Sequence, residues 1–185
     1  VRAALVALLA LMLAFVAVRA AAVKAFADRA PAAAAKLWPS HPRVAIGIAM
    51  EDIGRAAARS EAPAASSIDA IAAAARKAPL AEEPFLVLGI KAQLSGNAAL
   101  AERSFLAARA RAPREPATRY FLAQQLLTMG RSDQGLKEIA TLARLMPSGM
   151  GSLVPTLAAY AGTPGAIPHL RVLFRTEPKL GELVL

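Results

Sequence analysis

The chain has no cysteine, two histidines and one tryptophan, and aromatic side chains hold only 5% of its positions. The absence of cysteine excludes disulfides and thiolate chemistry and says nothing of compartment. His41 and His169 stand far apart and outside any H-E-x-x-H spacing, so no metal site is expected. Serine and threonine are scarce, and none sits in a G-x-S-x-G elbow. The run Gly149-Met150-Gly151 lacks the strand and helix that flank a phosphate-binding loop, and reads as a turn. Acidic residues are the minority charge, 13 against 22 Lys and Arg. Their adjacent pairs, Glu51-Asp52 and Glu82-Glu83, point in different directions on a helix and make no acid/base pair; both read as first-turn residues at helix N-termini. No catalytic constellation is left. A non-enzymatic protein is expected, with no cofactor, metal or small-molecule substrate.

What is present in quantity is alanine. Roughly a quarter of the 185 residues are Ala, while strand-favouring residues are sparse, so the expected fold class is all-α. A hydrophobic content of 56% and a mean hydropathy of +0.43 are high for a wholly soluble chain and point to a membrane segment. The formal net charge of +9 comes from Lys and Arg scattered along the chain, often near Glu or Asp. That pattern reads as a solvated basic surface, and no nucleic-acid partner is expected.

The membrane segment lies at the start. Residues 3–18 form an unbroken apolar run with Arg2 before it and Arg19 and Lys24 after it. A straight helix needs ~20 residues to span a bilayer; Arg19 and Lys24 can snorkel, which extends the span through Val23. An anchor over 1–23 is expected, crossing the lipid bilayer through residues 3–23. Ala20-Ala21-Ala22 also fits the small-x-small pattern of a cleaved secretory signal, the competing reading. Ala3, Ala7, Ala10, Ala14 and Ala17 recur at three- and four-residue spacing on one face, where small residues let a second transmembrane helix come close. Charge counting favours a cytoplasmic body, whereas a signal-like segment at the N-terminus favours export. The expectation is a single-pass protein of a bacterial inner membrane with its body in the periplasm. Residues 24–42 read as an amphipathic segment, a Pro31 interruption, an Ala-rich turn and a Pro-rich linker. Two prolines in Trp38-Pro39-Ser40-His41-Pro42 exclude a continuous helix there. Trp38 is expected in an interfacial belt or plugging the first helical hairpin.

Residues 82–113 read EEPFLVLGIKAQLSGNAALAERSFLAARARAP. Two apolar-periodic segments, 84–94 and 98–111, flank Ser95-Gly96-Asn97, whose Gly and Asn suit a tight turn between antiparallel helices. Phe85, Leu88, Ala92 and Ser95 share one face of the first segment, and Ala101, Phe105, Ala108 and Ala112 one face of the second. The stretch resembles a tetratricopeptide repeat, whose pattern is W-x2-L-G-x2-Y, then A-x3-F, then Pro. Here it runs Phe85-x2-Leu88-Gly89-x2-Ala92, Ala101-x3-Phe105, Ala108 and Pro113. Phe for Trp and Ala for Tyr are departures that thin the hairpin core. Pro79, Pro113 and Pro147 stand 34 residues apart, the repeat length of that family.

The resemblance implies an N-terminal transmembrane helix followed by a short tetratricopeptide-like α-solenoid of antiparallel helix pairs over 43–185. Residues 43–79 form a degraded repeat, with a helix over 43–59 and a second over 68–78. Ser66 or Ser67 caps that second helix, and Ile71, Ala74 and Ala75 face inward. Residues 80–113 form the best repeat and 114–147 another. In the latter, Leu122 and Ala123 hold the Leu-Gly places, Ser132 with Asp133 caps the second helix, and Gly135, Ile139 and Leu142 face inward. Residues 148–185 make a divergent terminal hairpin, with helices over 153–160 and from Pro168 to Thr176.

In this family the first helix of each hairpin lines a groove that reads a peptide or helix. The matching positions are Leu86, Ile90, Gln93 and Leu94 on one repeat and Tyr120, Gln124, Leu127 and Thr128 on the next. The Lys and Asn of the family's carboxylate-binding members are replaced by Leu, Ile and Gln, so a terminal-carboxylate clamp is not implied. The expected partners are other proteins of a membrane complex. The readings that follow are a membrane-tethered adaptor, a structural subunit whose helix packs into an integral complex, and an exported chaperone or polysaccharide-assembly factor.

Overall fold

The structure, a computed structural model, describes residues 2–27, 29–59 and 61–184. Among these the secondary structure is helical and contains no strand, in line with the composition. The chain divides into two compact units, Val1–Pro84 and Phe85–Leu185.

The first unit contains α1 (Arg2–Phe26), α2 (Pro31–Leu37), α3 (Pro42–Ala58) and α4 (Ala65–Lys77). Among the described residues α1 is the one helix long and apolar enough to cross a membrane, and its large side chains stand in the open, Leu11 at 69% and Phe15 at 65% exposure. Only its last turns enter a core. Val23 and Ala27 pack with Ala34 of α2 and Val44 of α3, and Trp38 lies against that cluster. α3 passes so close that a Cβ on Gly47 would fall 2.2 Å from the Ala27 carbonyl oxygen, so only Gly fits.

Residues 31–37, expected as an Ala-rich turn, are a helix instead. Pro31 opens it at the first helical position, where its missing N–H is one that would have no intrahelical partner anyway. Glu51 and Asp52 lie well inside α3, not at a helix start, and pair with Arg55. Ser67 does not cap α4. The N-cap is Ala64 without a side-chain bond, and the buried Ser67 hydroxyl donates to Asp52 at 3.4 Å. Ile46, Ala74 and Ala81 form the core between α3 and α4.

The second unit holds the remainder of α5 (Glu83–Leu94), then α6 (Ala98–Arg111), α7 (Pro116–Thr128) and α8 (Ser132–Leu145). A 3-10 helix (Pro147–Leu153), α9 (Val154–Ala161), α10 (Ala166–Thr176) and α11 (Pro178–Val184) complete it. The helices from α5 to α8 form two hairpins with the same turn. In one, Gly96 takes φ 74° and Asn97 N–H donates to the Ala92 carbonyl at 2.8 Å. In the other, 34 positions on, Gly130 takes φ 74° and Arg131 N–H donates to the Leu126 carbonyl at 2.9 Å. Both are Schellman closures, which need a left-handed residue and find Gly there.

The far ends of the hairpins repeat as well. Ala112 ends α6 at φ −129°, ψ 78°, and Met146 ends α8 at φ −129°, ψ 65°. Each precedes a proline, whose ring pushes the preceding residue out of the α region. Ala78, ahead of Pro79, ends α4 in the first unit at φ −131°, ψ 67°.

Ala101, Phe105 and Ala108 of α6 are buried, as are Leu122 and Ala123 of α7 and Gly135, Ile139 and Leu142 of α8. The expected cap at Ser132 and Asp133 is absent: Arg131 is the N-cap and makes no side-chain bond, whereas Asn97 caps α6 by accepting from Leu100 N–H at 3.1 Å. α10 begins at Ala166, two residues ahead of expectation, after Gly165 at φ 80°. Pro178 does more than follow α10. It opens α11, whose Leu180 is fully buried with Leu153, Leu157, Tyr160, Leu170 and Leu173.

Candidate functional site

The second unit encloses a cleft of about 370 Å3, lined by Gln93 of α5, Gln124, Leu127 and Thr128 of α7, Thr156, Ala159 and Tyr160 of α9, and Thr163 just beyond. The helical spacing of Tyr120, Gln124, Leu127 and Thr128 puts all four on one side of α7. α7 itself starts where Pro116 can open a helix and where the Glu115 carboxylate accepts from Ala117 N–H at 3.5 Å.

A hydrogen-bonded trio fixes the two long walls. Gln124 Nε2 donates to the Tyr120 hydroxyl at 2.9 Å, and Thr156 Oγ1 donates to the same oxygen at 3.1 Å. Thr128 Oγ1 donates to the Gln124 carbonyl at 2.9 Å and Thr163 Oγ1 to the Tyr160 carbonyl at 2.7 Å. Both threonines therefore offer their lone pairs to the cleft. Among the described residues no Asp, Glu, Lys or Arg lines it. The site can present amide and hydroxyl groups plus the Leu127 side chain, and its volume falls within the range of ordinary ligand pockets, about 300–1,000 Å3.

Gln93, Gln124 and Leu127 of the expected groove thus line this cleft together with Thr128, and Tyr120 braces two of the lining residues. Ile90 is half-buried against the core shared by α5, α6 and α7. Leu86 is a correction: it is 7% exposed and belongs to that same core, while Leu88, expected inward, is 40% exposed. The close fit of Gly89 against Phe105 sets the rotation of α5, turning Leu86 in and Leu88 out. Leu94 is 85% exposed and does not line the cleft. The α9 wall was not foreseen. Its sole trace in the sequence is Thr156 and Tyr160, one helical turn apart.

On α1, Ala3, Ala7, Ala10, Ala14 and Ala17 are exposed along with the rest of that helix up to Val18. Among the described residues no group of three or more acidic or histidine side chains could hold a metal.

Charge in the second unit gathers away from the cleft. The buried Glu138 carboxylate of α8 accepts from Arg109 of α6 and Arg119 of α7, and Arg131 pairs with Glu102. These pairs tie three helices together. In the first unit, Arg43 donates to Glu83 at 2.9 Å. Burial pushes the Glu83 carboxyl above its ordinary value; a backbone hydrogen bond to the carboxylate opposes the shift, the neighbouring Glu82 adds to it and Arg43 opposes it.

Compared with known proteins, the chain matches no family model, no curated protein and no solved structure.

Proposed function

We propose that the chain is a membrane-tethered helical-repeat adaptor of tetratricopeptide type, which holds a segment of a partner protein in the α5–α7–α9 cleft within a bacterial inner-membrane complex. It performs no catalysis. The observation that carries this reading is the recurrence of one hairpin geometry at 34 positions: Gly96 and Gly130 share a turn, and Ala112 and Met146 share a helix end. The cleft opens on the first helices of those hairpins, the side from which helical repeats take their ligands.

An uncharged lining of Gln, Thr and Tyr suits the main chain and neutral side chains of an internal segment, and a terminal carboxylate would find no cation there. Support for the tether is α1 itself, 25 residues long and apolar enough to cross a membrane, with its side chains exposed up to Val18. The body lies on the periplasmic side in this reading.

The cleft is tested by a photo-crosslinking amino acid placed at Gln93, Leu127 or Thr163 in the full chain, in native membranes. The same adduct is expected from all three positions, and it should vanish when Ala159→Trp, at an exposed lining position, fills the cleft without lowering the melting temperature. Equal adduct from the outward-facing Lys137, or persistence in the Ala159→Trp chain, would refute the site. The tether is tested by deleting residues 3–18, which should release the protein from alkali-washed membranes with its helicity intact. Because the chain has no cysteine, one cysteine introduced at the exposed Ser148 reports sidedness. Labelling by an impermeant maleimide in spheroplasts is expected.

A further inference from the structure

We infer that the turn joining α2 to α3, residues 38–41, forms with Arg19 and Lys36 a docking face for the anionic headgroups of the membrane that α1 enters; this rests on the tether proposed above. The geometry starts from α1, an unbroken helix to Phe26 that first becomes buried at Val23. Ala30 N–H donates to the Phe26 carbonyl at 2.7 Å, so α2 starts beside the far end of α1. It then runs back alongside it. At its other end Arg19 Nε donates to the Leu37 carbonyl at 2.8 Å. The seven residues of α2 cover about 10 Å, which returns the chain to the level where the apolar run of α1 stops. Val23, expected as the end of the lipid-crossing stretch, is instead buried in protein. In this reading the lipid-facing stretch therefore ends at Val18 and the α2–α3 turn lies at the height of the bilayer surface; α2 is no free linker.

The side chains at that height have interfacial chemistry. The Arg19 guanidinium sits 4.5 Å from the Trp38 ring centroid, Leu37 is 43% exposed, and Lys36 is exposed beside it. Tryptophan, an exposed leucine and cations at the end of an apolar helix are the residues that partition to the headgroup layer. The charge favours anionic lipid: Asp28 is the one acidic residue among the first 50, against six Lys and Arg. Leu37 as an apolar contact and Lys36 as a cation thus have an occupant continuous with the membrane around α1.

Trp38 is the only tryptophan in the chain and reports on the turn directly. The full chain is reconstituted in phosphatidylcholine vesicles and in vesicles with about one-third phosphatidylglycerol, and Trp38 is quenched with acrylamide and with brominated lipid. Flotation with both vesicles is expected. With anionic lipid, acrylamide quenching should fall about twofold, brominated-lipid quenching should rise, and high salt should reverse both. Lys36→Gln, at an exposed position, should lower the docked-to-undocked ratio about fivefold. Trp38 equally quenched in the two vesicles, in a chain that still floats, would overturn the docking face and leave the tether standing. A chain that floats with neither vesicle would overturn both.

Discussion

The ring of Phe105 lies against the backbone of Gly89, where an added Cβ would fall 2.4 Å from Phe105 Cε1. Phe105 is fully buried, so the ring has nowhere to swing. Gly89→Ala gains about 1 kcal/mol of helix propensity, but overpacking of a filled core costs about 1–3 kcal/mol. The ring wins at so short a separation. A net loss of up to about 2 kcal/mol is expected in urea denaturation, and pairing Gly89→Ala with Phe105→Leu should recover much of it. Strict additivity of the two changes would contradict the contact.

The two Schellman turns make a matched pair of experiments. Gly96 and Gly130 both sit at φ 74° with open space where a Cβ would go, so the penalty for alanine is purely conformational. Each Gly→Ala change is expected to cost about 1–2 kcal/mol, the two values agreeing within about 0.5 kcal/mol. Asparagine, which tolerates the left-handed region, should cost less at both sites. Clearly unequal penalties would mean that the turns are not equivalent.

Glu138 holds two guanidinium groups at a side-chain exposure of 8%. Truncating a buried partner of this kind costs about 3–5 kcal/mol. Because Arg109 is 37% exposed and can turn to water, Glu138→Ala is expected at the lower end of that range. The comparison is Glu61→Ala, whose pair with Arg59 is 57% exposed on both sides and should stay within about 0.5 kcal/mol of the parent. Equal effects of the two changes would rule out the buried network.

Glu83 gives a pH signature of definite sign. Its carboxyl is raised above the ordinary 4.5, first by burial. The folded state therefore holds the proton more tightly than the unfolded one. That contribution is complete below pH 4.5 and is lost as the pH rises through the folded value. Glu83→Gln stays neutral throughout. Its melting temperature relative to the parent should climb as the pH rises above 4.5. A flat or falling difference would mean that the backbone hydrogen bond to the carboxylate and Arg43 together outweigh burial.

The local parts of the fold were legible because they depend on neighbours in sequence. Ala101, Phe105 and Ala108, and the matching Gly135, Ile139 and Leu142, are inward because a 3.6-residue period dictates it, and Gly96 and Gly130 mark turns that only a left-handed residue closes. What escaped the sequence is set by tertiary contact. The exchange of Leu86 and Leu88 follows from one ring across the hairpin, and Ser67 is drawn inward toward Asp52. Half of the cleft was visible as positions on α5 and α7. Its α9 wall comes from beyond the 3-10 helix at Pro147–Leu153, where periodicity breaks and no repeat supplies a register.

The unbroken passage of α1 into the core around Val23 has a mechanical consequence. A helix joined to a globular body by loose chain can spin without moving its cargo. Here Gly47, packed on the Ala27 carbonyl, and the Arg19–Leu37 bond leave no swivel between them. Any tilt or rotation imposed on the apolar turns must reappear as a lever motion of the first unit.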